Sequence, residues 1–172
     1  MTSKEYVEEL DWQSAIAAAT LILGPPKTQS QATTVTPAAP ANLAESYLYR
    51  GIARCFIADK EGKHKEAVED LSKAIVLGVA VMDEAYYYRA YAFYLDGDYE
   101  KAIADCKKIN NGNPCSYGDE LLGKIYFAMG KYEKAVDKLG TAIIWWYKQN
   151  PPIPSSGLLD SYREACKRMN SV

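Results

Sequence analysis

At 172 residues the chain is long enough for one domain with a real core, or for a stack of a few repeats. Apolar residues make up 48% and charged residues 24%, the balance of a soluble globular protein rather than a disordered or membrane-embedded one. The formal charge of −2 leaves no basic stripe to neutralise phosphates, which argues against a nucleic-acid partner.

The first predicted element is a helix from Asp11 to Leu23, stopped by Gly24-Pro25-Pro26. Its apolar run, Ala15 to Gly24, is shorter than the roughly 20 residues a spanning helix needs. It also follows Glu5, Glu8, Glu9 and Asp11, where a secretory signal needs positive charge. The expectation is a packed helix, no membrane partner and a cytoplasmic protein. Pro25 to Ala41 is rich in Pro, Thr, Ala and Gln without periodicity, and reads as a mobile loop. Its Pro37-x-x-Pro40 and Thr36-Pro37 are weak signals for groove docking and phosphorylation.

Asn42 and Glu45 have capping-box spacing and open a helix that runs to about Asp59. A second helix is predicted from about His64 to Leu77, and a third capped by Asp83 and ending at Asp96-Gly97. Asp98 caps a fourth, broken by the run Asn110 to Pro114. Ser116 with Asp119 leads a fifth to Met129, and a sixth runs from Tyr132 to near Gln149. Prolines 151, 152 and 154 precede a last helix, Ser156 to Met169, striped by Leu158, Leu159, Tyr162, Cys166 and Met169. No strand pattern competes.

Cys55, Cys106, Cys115 and Cys166 contain no C-x-x-C pair, and read as reduced, mostly packed thiols. The one histidine, His64, lies between two lysines, so neither a metal site nor a His-activated nucleophile is expected. There is no Gly-rich phosphate loop, and no cofactor is expected. These absences point away from an enzyme.

The organising feature is a repeat. Ala67, Ala102 and Ala135 recur at intervals of 35 and 33 residues, and seven residues after each comes Ala74, Ile109 or Ala142. Upstream lie Gly62, Gly97 and Gly130, each opening a turn. Self-similarity of this period indicates stacked helical hairpins, in which small residues let paired helices approach closely.

The pattern resembles the tetratricopeptide repeat. Counting the middle copy from Asp83, Tyr86 takes the Trp site, Ala90 the Gly site and Phe93 the Tyr site; Gly97-Asp98-Tyr99 is the turn, Ala102 the small site and Pro114 the terminating Pro. The third copy, from Ser116, supplies Leu122-Gly123, Tyr126, Gly130, Tyr132, Ala135, Leu139 and Ala142. The first, from Ala44, supplies Tyr47, Gly51 and Ala67 with four extra residues before its turn. Tyr6, Asp11-Trp12, Ala15 and Ile22 match the second half of a worn copy.

The resemblance implies an all-α, right-handed superhelical stack of antiparallel hairpins. Its parts are a degenerate half-repeat (1–24), a linker (25–43), three repeats (44–82, 83–115 and 116–154) and a capping helix (155–172). It also implies a concave groove, lined by the first helix of each hairpin, that receives a segment of another protein. On the first copy the groove register holds Glu45, Leu48, Tyr49, Ile52, Cys55 and Phe56. On the second it holds Glu84, Tyr87, Tyr88, Tyr91, Tyr94 and Leu95, and on the third Tyr117, Glu120, Leu121, Lys124, Phe127 and Ala128. The candidate contact residues are Glu45, Tyr49, Ile52, Glu84, Tyr87, Tyr88, Tyr91, Tyr117, Glu120 and Lys124. Several of the chain's 14 tyrosines gather there, where an amphipathic ring suits recognition. The competing reading packs these rings between helices, and is preferred for Tyr86.

Members of the family that bind acidic chaperone tails do so through a clamp of Lys, Asn and Arg. Here the clamp positions hold Leu48, Ile52, Tyr88, Tyr117 and Leu121, and Glu84 and Glu120 repel an acidic tail. Type III secretion translocator chaperones, and the adaptors that link Hsp90 to ubiquitin ligases, are similar in layout alone. The expected function is therefore a non-catalytic adaptor or co-chaperone that holds an apolar or aromatic-anchored segment. Three alternatives remain: a self-associating or complex-assembly scaffold subunit that uses the N-terminal segment (Trp12, Ile16 and Leu23) or the convex face, a groove blocked by residues 1–23, and, last, an enzyme.

Overall fold

The computed structural model describes residues 40–61, 64–149 and 156–171. The predicted helix at 11–23, the worn half-repeat, the linker before Pro40, the Gly62 turn and the Pro151–Pro154 run lie outside the described residues. Seven α-helices and one 3₁₀ turn follow one another, with no strand among the described residues. They are α1 (Pro40–Glu61), α2 (His64–Val76), α3 (Met82–Leu95), α4 (Tyr99–Cys106), the 3₁₀ turn Ile109–Gly112, α5 (Ser116–Ala128), α6 (Tyr132–Gln149) and α7 (Ser156–Asn170). They form two compact units, the first ending at Asp96 and the second beginning at Gly97.

In the first unit α1, α2 and α3 pack on one another. Ala44, Leu48, Ile52 and Cys55 of α1 meet Ala67, Leu71 and Ala74 of α2 and Ala85 and Ala92 of α3. The first two helices are antiparallel, because Arg50 reaches Asp70 while Arg54, one turn on, reaches Glu66 one turn back. A close approach fixes the hairpin: a Cβ on Gly51 would lie 2.7 Å from Leu71 Cγ and 3.2 Å from the Leu71 nitrogen.

The second unit repeats that contact between α5 and α6. A Cβ on Gly123 would lie 2.5 Å from Leu139 Cγ and 3.2 Å from the Leu139 nitrogen. Gly51 and Leu71 are 20 residues apart and Gly123 and Leu139 are 16, so the same junction is kept although α1 runs further past its glycine than α5 does. This is the four-residue insertion visible in the first copy, about one helical turn. Ala135, Leu139 and Ala142 of α6 then pack against Leu158 and Ala165 of α7, with Trp146 and Tyr162 at the edge. Ala67, Ala102 and Ala135 are all fully buried, as a small-residue beat requires.

Local chemistry sets the helix ends. Asp98 caps α4 as expected, accepting a hydrogen bond from the Lys101 N–H at 3.3 Å. Gly97 and Gly130 hold φ of 79° and 71°, in turns where a side chain would be strained.

Three starts differ from expectation. Helix α1 begins at Pro40, ahead of Asn42, because a proline fits the first helical position without losing a needed donor. Helix α3 begins at Met82 with Val81 as its cap, so Asp83 lies inside the first turn, where its charge suits the helix N-terminus. Helix α5 is capped from Cys115, and the Asp119 carboxylate accepts from the Cys115 N–H at 2.9 Å. The break expected at Asn110 comes earlier: α4 stops at Cys106, and the chain turns through the 3₁₀ segment.

Candidate binding face

The first unit brings α1 and α3 together through aromatic contacts. The Cys55 thiol donates to the Tyr88 carbonyl at 3.6 Å, placing the middle of α3 against the C-terminal half of α1. Phe56 then meets Tyr88 edge-on at 6.0 Å between ring centres, and Tyr88 meets Tyr87 at 5.2 Å. Tyr91 and Tyr94 lie 6.4 Å apart further along α3. Such edge-on pairs put the positive rim of one ring on the negative face of the next.

Tyr49 lies on the same stripe of α1, two turns before Phe56. Tyr49 is 52% exposed and Phe56 43%, large apolar areas for a helix surface. Tyr87, Tyr88 and Tyr91 are half-buried, and Tyr88 and Tyr91 pack against the core cluster with one edge outward. Burial, with Glu84 and Cys55 nearby, pushes the Tyr88 hydroxyl above its ordinary range, so it remains a neutral donor and acceptor.

The candidate residues divide on this geometry. Glu45 and Tyr49 on α1, and Glu84 on α3, are exposed or half-exposed along the stripe. Ile52 is not: it is 2% exposed, and joins Leu48 and Cys55 in the core beneath. The groove register counts α1 as a surface helix there, but α2 and α3 cover that side. Phe56, which the shorter candidate list omits, occupies the surface in its place. On α5 of the second unit Tyr117 is 40% exposed, Leu121 is buried, and Glu120 is held by Lys124 at 2.6 Å.

Beneath the face of the first unit lies a buried ion-pair network that sequence reasoning missed. Arg50 donates from Nε and Nη2 to both carboxylate oxygens of Asp70, at 2.6 and 2.7 Å. Arg54 donates to the same carboxylate and pairs with Glu66 at 3.2 Å. Hydrogen bonding to Asp70 raises the Arg50 pKa against the opposing effect of burial. The only signal for it in the sequence is Asp70 on an otherwise buried helix face.

None of the four cysteines is in a disulfide. Burial pushes Cys55 up to about 12, and Cys106 is pushed up by burial and by Asp105, so neither is an activated nucleophile. Among the described residues no group of three or more His, Cys, Asp or Glu could hold a metal ion, and no helix is long and apolar enough to cross a membrane.

Each unit contains a helical hairpin with a glycine at the crossing, α1–α2 in the first and α5–α6 in the second, and the first unit carries aromatic residues on one face. Residues 80–142, from just before α3 to the middle of α6, match the family described as anaphase-promoting complex, cyclosome, subunit 3, a tetratricopeptide-like repeat family. That match and the seven consecutive helices fit a tetratricopeptide-repeat protein. No curated protein matches the chain. A repeat family of this kind points to binding another protein.

Proposed function

We propose that the chain is a non-catalytic cytoplasmic adaptor, in the manner of a co-chaperone, that holds an apolar or aromatic-anchored segment of a partner protein. The observation that carries this reading is the aromatic stripe of the first unit: Tyr49 and Phe56 exposed on α1, with Phe56 edge-on against the half-buried Tyr88 of α3. Rigid rings with little side-chain entropy to lose are the usual anchors of such contacts. The clamp residues that serve acidic tails are replaced by Leu48, Ile52, Tyr88, Tyr117 and Leu121. The partner is accordingly not an acidic tail.

Because Tyr88 and Tyr91 pack against the core, the cleaner test uses the exposed rings. Immobilised wild-type protein and a Tyr49→Ala/Phe56→Ala variant are compared for capture of partners from extract, with circular dichroism confirming an unchanged fold. A partner lost in the variant supports the reading. A partner retained by the wild type and the variant alike removes this face from consideration.

Self-assembly is the second reading. Ile144 and Tyr147, one turn apart on α6, are 57% and 58% exposed. Sedimentation of the wild type against Ile144→Asp separates the two readings, since only a self-assembling chain changes mass.

A further inference from the structure

We infer that the segment taken by the α1–α3 face carries a lysine or arginine beside its apolar or aromatic anchor. This rests on the reading above and names the chemistry of its partner. The two helices carry the same short pattern, a glutamate one turn before a tyrosine: Glu45 before Tyr49 on α1, and Glu84 before Tyr88 on α3. Both glutamates are exposed, and among the described residues neither is held in an ion pair. The Tyr88 hydroxyl feels the negative charge of Glu84.

The arginines of these helices are committed elsewhere. Arg50 and Arg54 are bound to Asp70 beneath the surface. Arg89 donates to Ser72 of α2 at 3.0 Å and lies over the rings of Tyr86 and Phe93. The face therefore combines exposed aromatic rings with two carboxylates and none of the described cations of α1 and α3. A cationic side chain between a carboxylate and a tyrosine ring gains from both, through the ion pair and through the negative ring face. The second unit makes the contrast, because Glu120 on α5 is already neutralised by Lys124.

The test uses the full chain and three labelled, end-capped peptides of equal length. In the first, lysines alternate with leucine and tyrosine; the second and third replace every lysine with glutamine or glutamate. Binding is read by fluorescence anisotropy at low and high salt. Two exposed ion pairs give the lysine peptide about tenfold preference over the glutamine peptide at low salt, and the preference shrinks as salt screens it. In Glu45→Gln/Glu84→Gln the preference falls below about twofold, since the pairs that create it are gone. Equal binding of the three peptides overturns the inference, as does a lysine preference that survives in the glutamine variant. If the glutamine peptide binds and Tyr49→Ala abolishes that binding, while charge has no effect, the adaptor reading stands and this inference falls. If no peptide binds, both fall.

Discussion

Replacing Asp70 with asparagine keeps the shape of the side chain and removes one charge from a site that is 1% exposed. Arg50, itself 4% exposed, then keeps its positive charge with no carboxylate to receive it. Breaking a buried pair from one side costs about 3–5 kcal/mol, mostly the penalty of the stranded charge. Arg54 adds less, because it is 15% exposed and retains Glu66. Against a total stability of about 5–15 kcal/mol the loss is large enough to unfold the first hairpin at modest denaturant. Urea unfolding followed by far-ultraviolet circular dichroism measures it. The double variant Arg50→Met/Asp70→Leu supplies the control: with both charges gone and the volume kept, stability returns to within about 1–2 kcal/mol of wild type. A loss below about 1 kcal/mol for Asp70→Asn, the range of a surface pair, would refute the assignment of this network to the interior.

Glycine substitutions should differ in sign. Gly123→Ala forces a Cβ against Leu139 and costs about 1–3 kcal/mol, whereas Gly157→Ala on α7 meets nothing within 4 Å and gains about 0.5–1 kcal/mol from helix propensity. Thermal melts of both variants check the pair, and equal shifts would contradict the close approach of α5 and α6. Ala102→Leu overfills a fully buried site and should cost about 1–3 kcal/mol; an unchanged melt would undermine the repeat register. Cys55 holds its proton to about pH 12 in the folded chain, against an ordinary value of 9.0. Its folded pKa is raised and its protonated form is neutral, so its contribution is intact below pH 9.0 and is lost as pH climbs from there towards 12. Near pH 10.5 the loss is about 2 kcal/mol, seen as a steeper fall in urea midpoint for wild type than for Cys55→Ala. Native-state alkylation should accordingly reach half-buried Cys166 before Cys55 or Cys106, as peptide mass spectrometry can read.

The helices and their junctions were legible because their causes are local or periodic. The alanine beat marks where helices cross, and Gly97 and Gly130 mark turns that need positive φ. The four extra residues between Gly51 and Ala67 proved to be one added turn around an unchanged Gly–Leu contact. Exact caps were less legible. Asn42, Asp83 and Ser116 each have the chemistry of a cap, yet the helices begin at Pro40, Met82 and one residue beyond Cys115. Several residues in each stretch can open a helix, and packing of the first turn chooses among them.

Of the binding face, the sequence alone could establish the residue types and their helical stripe: glutamates and tyrosines one turn apart on two helices. Which edge of the stripe meets solvent was decided only by tertiary structure. Ile52 and Phe56 are one turn apart and equally plausible as surface, but α2 and α3 cover the first and leave the second out. The same rotation of α1 buries Arg50 against Asp70, a pair 20 residues apart. Periodicity gives the angle between residues around a helix; the angle at which that helix meets its neighbours comes from packing, and it determines which side chains a partner can touch.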